Sequence, residues 1–328
     1  MRWTGLAVSF AVLAAVAALS LAVGAQAIPP GEVWRQLWWP DGGETAAIIH
    51  DLRIPRTLLG LCVGSALGLA GALMQGLTRN PLADPGLLGV NAGASLAVVL
   101  SILLFGVTDL RGWVWFSLAG AAAAAAAVYT LGTTGRGAAN PARLVLAGAA
   151  ISASLLAVIE AVLTLNLAVF DKWRFWDVGA LAGRDAEVVG QVAPFVVAGA
   201  VLALGLGRGL NAIALGEQTG QGLGVDLGRV RLAGAAAVML LCGAATAAAG
   251  PIGFIGLMAP HAVRAFTGPD NRWVLAYSAV LAPALLLAAD VLGRVVVRPG
   301  ELESGIVTAF VGAPVFVFLL RRRRIVRL

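Results

Sequence analysis

Between Leu232 and Val263 the chain carries no aspartate, glutamate, lysine or arginine. A helix crosses roughly 30 Å of hydrocarbon with about 20 apolar residues, so this stretch is too long for one crossing and too apolar to face water. Gly250-Pro251 lies near its middle, where proline cannot continue the backbone bonding of a helix. The stretch therefore divides into a full helix near 231–249 and a short one near 252–266. Further apolar runs near 5–28, 56–77, 87–107, 113–132, 144–165, 188–207, 273–297 and 304–320 bring the expectation to about ten transmembrane helices. With 59% hydrophobic and 12% charged residues over 328 positions, the chain has about half the charge density of a soluble domain. It reads as an all-α membrane protein, a single transmembrane domain over 1–328. That composition excludes an ordinary soluble enzyme and a disordered chain.

Arg2, the run after it and Ala25-Gln26-Ala27 have the outline of a signal peptide. The run is longer than the usual 7–15 residues of such a segment, which favours a retained first transmembrane helix within 1–28. An even number of crossings puts both termini on one side. That side would hold fourteen of the 23 basic residues, among them Arg2, Arg79, Arg136, Arg143, Arg208, Arg264 and the tail Arg321, Arg322, Arg323, Arg324 and Arg327. The excess places both termini in the cytoplasm.

Little in the sequence supports catalysis. Lys172 is the single lysine and does not follow a glycine-rich loop, so no Walker A motif is present. Gly222-Leu223-Gly224 and Gly228 miss the dinucleotide-binding spacing by one residue. Two histidines, His50 and His261, and two distant cysteines, Cys62 and Cys242, offer little for a metal site. The expectation is a transport chain that binds no metal or cofactor itself. Gly60, Gly64 and Gly68 recur every fourth residue and read as a packing face. Two carboxylates fall inside expected spans, Glu160 and Asp290. Asp290 precedes Arg294 by four residues, which favours a local ion pair on one helix face over proton coupling. A secondary transporter driven through Glu160 and Asp290 is the competing reading.

The longest polar stretch on the cytoplasmic side, 207–231, alternates short amphipathic segments with glycine breaks. Leu215, Leu223 and Val225 offer apolar knobs for a partner's groove, against the plainer reading of a solvated loop.

Several motifs in order resemble the permease subunits of type II ABC importers, which carry iron–siderophores, haem and cobalamin. They begin with Arg53-Ile54-Pro55-Arg56-Thr57-Leu58-Leu59 and the segment Gly71 to Val90 with its Arg79-Asn80-Pro81-Leu82-Ala83-Asp84-Pro85 centre. Phe175-Trp176 with Gly179 and Gly183, then Leu215-Gly216 and Leu223-Gly224-Val225, continue the pattern. Gly250-Pro251-Ile252-Gly253-Phe254-Ile255-Gly256 with Pro260-His261, and Asp290, Arg294, Gly300-Glu301-Leu302 and Gly305 to Pro314, complete it.

The resemblance implies the type II importer permease fold, ten helices with cytoplasmic termini, and a multi-pass place in the cell membrane. It implies a second permease subunit (a homodimer or a sister chain), two cytoplasmic ATPase subunits that use ATP and Mg, and an external binding protein. Ala212, Ile213, Leu215, Gly216, Glu217, Leu223, Gly224 and Val225 would couple to the ATPase. Gly220 and Gly222 in that segment each cost a helix about 1 kcal/mol relative to alanine, so the coupling helix is expected to be short or bent. Gly250, Pro251, Gly253, Phe254 and Gly256 would form the helix break beside the pathway. Arg53, Arg56 and Arg294 would receive acidic residues of the binding protein; Pro55 suits the first helical turn and puts both flanking arginines at the mouth of their helix. Glu303-Ser304 departs from the family's proline-small pair and adds negative charge there. Among the ligands, the stretches Arg174-Phe175-Trp176 and Arg298 to Glu303 favour an iron–siderophore over haem or cobalamin.

Overall fold

The structure, a computed structural model, describes residues 2–24, 26–133 and 141–321. Arg136 and the tail arginines Arg322, Arg323, Arg324 and Arg327, used above for orientation, lie outside the described residues. The described residues form helices and no strand. In chain order these are α1 (Arg2–Ala22), α2 (Pro30–Trp38), α3 (Glu44–Ala47), α4 (Ile54–Thr78), α5 (Val90–Phe105), α6 (Leu110–Thr133), α7 (Pro141–Leu165) and α8 (Leu167–Asp177). They continue as α9 (Ala186–Gly205), α10 (Gly207–Ala214), α11 (Glu217–Gly222), α12 (Leu227–Ala249), α13 (Ile255–Thr267), α14 (Asn271–Val296) and α15 (Ser304–Arg321).

A helix stands at each of the ten expected segments, namely α1, α4, α5, α6, α7, α9, α12, α13, α14 and α15. Among the described residues, seven helical stretches are long and apolar enough to cross a membrane; α5, α13 and α15 are shorter. Boundaries moved where local chemistry intervened. The first helix ends at Ala22 and not at Ile28, because arginines take the carbonyls at its end. Helix α12 starts early at Leu227, where the Asp226 carboxylate accepts from the Arg229 N–H as an N-cap. Helix α5 starts late at Val90, after a 3₁₀ turn over Pro85–Leu88 capped by Asp84.

At the centre stands α4, enclosed by α14, α12, α13 and α9. Its glycine face explains how the helices come so close. A Cβ on Gly60 would meet the Leu287 side chain, one on Gly64 the Cα of Pro283, and one on Gly68 the Ala282 Cβ, all on α14. One turn on, a Cβ on Gly71 would land on the Gly256 carbonyl of α13. Lipid provides no hydrophobic drive for helix association, so contact of this kind supplies the packing. Gly64→Ala is expected to destabilise the chain by about 1–3 kcal/mol through overpacking. Gly190→Ala on α9, where nothing lies within 4 Å, is expected to be neutral. Thermal unfolding of the two variants in detergent checks the contrast.

Candidate functional site

Two polar assemblies lie at opposite ends of the helix bundle. The first grows from the entry of α4. Residues Ile48–Arg53 form a π-helical turn that runs straight into α4 with Pro55 in its first turn. This turn sends Arg53 back over the end of α1. The Arg53 guanidinium is 5% exposed and donates to the carbonyl oxygens of Leu21 (2.8 Å), Ala22 (2.9 Å) and Gln26 (2.8 Å). The last carbonyls of a helix have no partner within it and carry partial negative charge, so Arg53 serves as the C-cap of α1.

Arg294 completes the same task from α14. It is 1% exposed, and its Nη1 donates to the carbonyls of Ser20 (2.7 Å) and Val23 (3.0 Å). Its Nε and Nη2 donate to Asp290, four residues earlier on α14. Asp290 has no exposed surface. It also accepts from Arg56 Nε (3.0 and 3.2 Å), Arg56 Nη2 (2.9 Å) and Ser304 Oγ (2.6 Å) at the start of α15. Arg56 reaches the surface at one point, where Nη1 pairs with Glu301 Oε2 at 2.6 Å. Beside it, burial holds the Glu303 carboxyl above the usual carboxylate range, against the pull of Arg56.

The structure thus brings Arg53, Arg56 and Arg294 together, and it corrects how they face. The expected ion pair of Asp290 with Arg294 is present. Arg53 and Arg294 point inward and tie helix ends, while Arg56 alone meets the exterior, behind Glu301. The signal in the sequence was ambiguous because a buried cap and an exposed receptor both call for arginine at a helix mouth.

The helix break lies on the flank of this assembly. Helix α12 ends at Gly250, whose positive φ of 76° suits glycine. A Cβ there would strike the Trp176 carbonyl, and one on Gly179 would strike the Pro251 carbonyl. Ala180 N–H donates to the Ala249 carbonyl at 2.7 Å, and Arg184 Nε to the Ala248 carbonyl at 2.9 Å. Burial lowers the Arg184 pKa to about 10. Phe254 holds a left-handed φ of 66° as the N-cap of α13 and packs against Gly312 of α15. Gly253 stands in open space, and Gly256 meets α4 at the Leu67 carbonyl.

The second assembly is at the other end, where 207–231 folds into α10 and α11 separated by Gly216 at φ 100°. Helix α11 has six residues, as the glycines at 220 and 222 led one to expect. Leu215 and Leu223 are 62% and 64% exposed, whereas Ala212 and Ile213 are buried and Val225 packs partly on the core. Ala212 and Ile213 therefore anchor the segment and do not present it. Glu217 opens α11, and Gly224 turns the chain at φ 78° toward α12.

A residue absent from the sequence reading ties this segment down. Asn211 Nδ2 donates to Asp270 Oδ1 at 2.8 Å, and Asn211 Oδ1 accepts from the Asn271 backbone N–H at 2.8 Å. Asn271 Oδ1 in turn accepts from Arg264 Nη2 at 3.3 Å, and Arg264 Nη1 donates to Gln75 Oε1. Gln75 Nε2 donates to the Leu257 carbonyl at 3.2 Å. A continuous hydrogen-bonded chain thus runs from α10 through α14 and α13 into α4. The usable signal was Asn211 sharing a face with Leu210 and Gly207, a polar group on the inward side of a short amphipathic helix.

Replacing Asp290 with asparagine leaves the buried Arg294 guanidinium without its counter-charge and Arg56 with Glu301 alone. Breaking a buried pair in this way costs about 3–5 kcal/mol, so Asp290→Asn is expected to lose folded yield. Glu301→Gln, at the exposed edge, is expected to change stability by less than about 1 kcal/mol. Detergent-extracted yield and unfolding temperature separate the two.

Residues 12–322 match the FecCD transport family. The ferric enterobactin transport system permease protein FepD of Escherichia coli K12 is 48% identical over 307 residues, covering 93% of this chain and 91% of that protein. A siderophore transport system permease protein of Bacillus subtilis 168, YfiZ, is 40% identical over 296 residues, 89% of each chain. A solved structure described as an inward-facing conformation of a metal-chelate type ABC transporter superposes with a TM-score of 0.85 at 25% identity, covering 98% of this chain and 99% of that one.

Proposed function

Since the chain belongs to the FecCD transport family, we propose that it is the membrane-spanning permease of an ATP-driven importer whose cargo is an iron–siderophore complex. The cargo reading draws on the iron-chelate relatives. The chain itself hydrolyses nothing; a separate cytoplasmic ATPase subunit uses ATP and Mg, and an external binding protein delivers the ligand to a pair of permeases. Helix α7, with little of its surface buried within the chain and Glu160 exposed on it, faces the second permease across the pathway.

The observation that carries this reading is the coupling end. Leu215 and Leu223 stand out as apolar tips for a groove on the ATPase, and the segment bearing them is bonded through Asn211 to the feet of α14 and onward to α4. A push on the tips is transmitted to the helices because the link is a set of directional hydrogen bonds on a buried scaffold. The rival reading, an ion-gradient carrier using Glu160 and Asp290, is disfavoured at Asp290, whose carboxylate lies fully buried between two guanidiniums.

At the outer end, Arg56 is the receptor for an acidic residue of the binding protein, which replaces Glu301 on it, while Arg53 and Arg294 hold the frame. Removing the internal competitor should then help: Glu301→Gln is expected to tighten binding-protein association severalfold and to leave it salt-sensitive. Association measured on the reconstituted transporter checks this.

The coupling reading is tested by Asn211→Ala in the complete transporter. The ATPase subunits should still bind and hydrolyse ATP, while ligand imported per ATP falls at least tenfold; Leu223→Asp should instead prevent their assembly. An unchanged import-to-hydrolysis ratio in Asn211→Ala would remove the clamp from the mechanism.

A further inference from the structure

A cavity of about 450 Å³ opens beside the coupling segment, between α1, α9, α10 and α14. Its walls include Trp3, Leu6, Leu204 and Trp273, and its rim carries Arg208 and Arg272. The two rim arginines are exposed, and their side chains have no ion-pair or hydrogen-bond partner among the described residues. Their neighbour Arg2 differs: it pairs with Asp270 at 3.4 Å, donates to the Thr267 carbonyl and lies over the Trp273 ring. Trp3 is 75% exposed and meets Trp273 edge-on at 5.0 Å between ring centres.

We propose that this cavity binds the headgroup of an anionic phospholipid of the cytoplasmic leaflet. The cytoplasmic placement rests on the functional reading above, because it follows from the side of the coupling segment. The fit comes from three features found together. Helices α1 and α9, which line the cavity, bury little of their surface within the chain, so apolar helix surface adjoins the cavity where acyl chains would lie. Tryptophans at the mouth belong to the headgroup level, where an apolar body and a polar N–H are both satisfied. Paired guanidiniums grip phosphate oxygens in a bidentate manner, and basic pockets between spans on the cytoplasmic side suit anionic headgroups.

The site also has a consequence for coupling. Arg208 belongs to α10 and Arg272 to α14, the two helices that Asn211 and Asp270 already join. A phosphate held by both arginines adds a second bridge across the same joint, so anionic lipid stiffens the link between the ATPase-facing segment and the spans.

The test uses the full-length permease purified in detergent and native mass spectrometry, with three probes: dioctanoyl phosphatidylglycerol, dioctanoyl phosphatidylcholine and glycerol phosphate. One phosphatidylglycerol per chain should be retained, at least tenfold more tightly than phosphatidylcholine, and glycerol phosphate should not bind at comparable concentration. The double variant Arg208→Gln, Arg272→Gln should lose the preference by tenfold or more, while Arg208→Lys, Arg272→Lys should keep it, which separates charge from misfolding. Equal retention in the glutamine variant, equal affinity for phosphatidylcholine, or equal affinity for glycerol phosphate would overturn the proposal. A glutamine variant that keeps the lipid but no longer binds the ATPase subunit would also overturn it and assign the arginines to a protein interface. The binding is read without ATP or transport, so it stands or falls independently of the importer assignment.

Discussion

One buried carboxylate, Asp290, ties together the end of the molecule where α4 begins. Asp290 gathers Arg56 from α4, Arg294 from its own helix and Ser304 from α15, and through Arg294 it holds the end of α1. Four helices, α1, α4, α14 and α15, meet at this point. In a chain with so few charges the arrangement is costly to desolvate, and Arg294 joins its two parts by donating to helix carbonyls as well as to the carboxylate. The α1 terminus illustrates the economy: its carbonyls from Ser20 to Ala22 would be orphaned in an apolar layer, and two arginines take all of them.

The opposite end is built on another principle. Asn211, Asn271 and Gln75 are neutral, and their amide groups donate and accept at once, so a chain of bonds can pass from α10 to α4 with Arg264 as its one cationic member. Between the two ends runs α4, pressed against α14 along Gly60, Gly64 and Gly68. A close glycine contact leaves little room for the helices to slide independently.

The helices, the break at Gly250 and the segmentation of 207–231 were legible because each has a local cause: apolar length, a proline, a glycine that must adopt a positive φ. The inward turn of Arg53 and Arg294 was not legible, because its cause is nonlocal. The carbonyls that attract Arg53 lie some thirty residues upstream, and nothing within the motif Arg53 to Leu59 states that a helix will end beside it. Asn211 escaped for a similar reason: its partners Asp270 and Asn271 are sixty residues away, and a single asparagine in a glycine-rich loop looks like a turn residue. The i, i+4 pair of Asp290 and Arg294 was read from spacing alone, yet its second arginine, Arg56, comes from α4.

Under the function proposed above, motion enters this chain from ATP hydrolysis at the 207–231 end and from no ion gradient. Proteoliposomes holding the permease, its ATPase subunit and its binding protein provide the direct measurement: initial uptake of a radiolabelled ferric siderophore with and without internal-facing ATP, and with ionophores that abolish proton and sodium gradients. Uptake that requires ATP and is unchanged by the ionophores is the predicted result. Uptake that proceeds without the ATPase and collapses with the ionophores would contradict it.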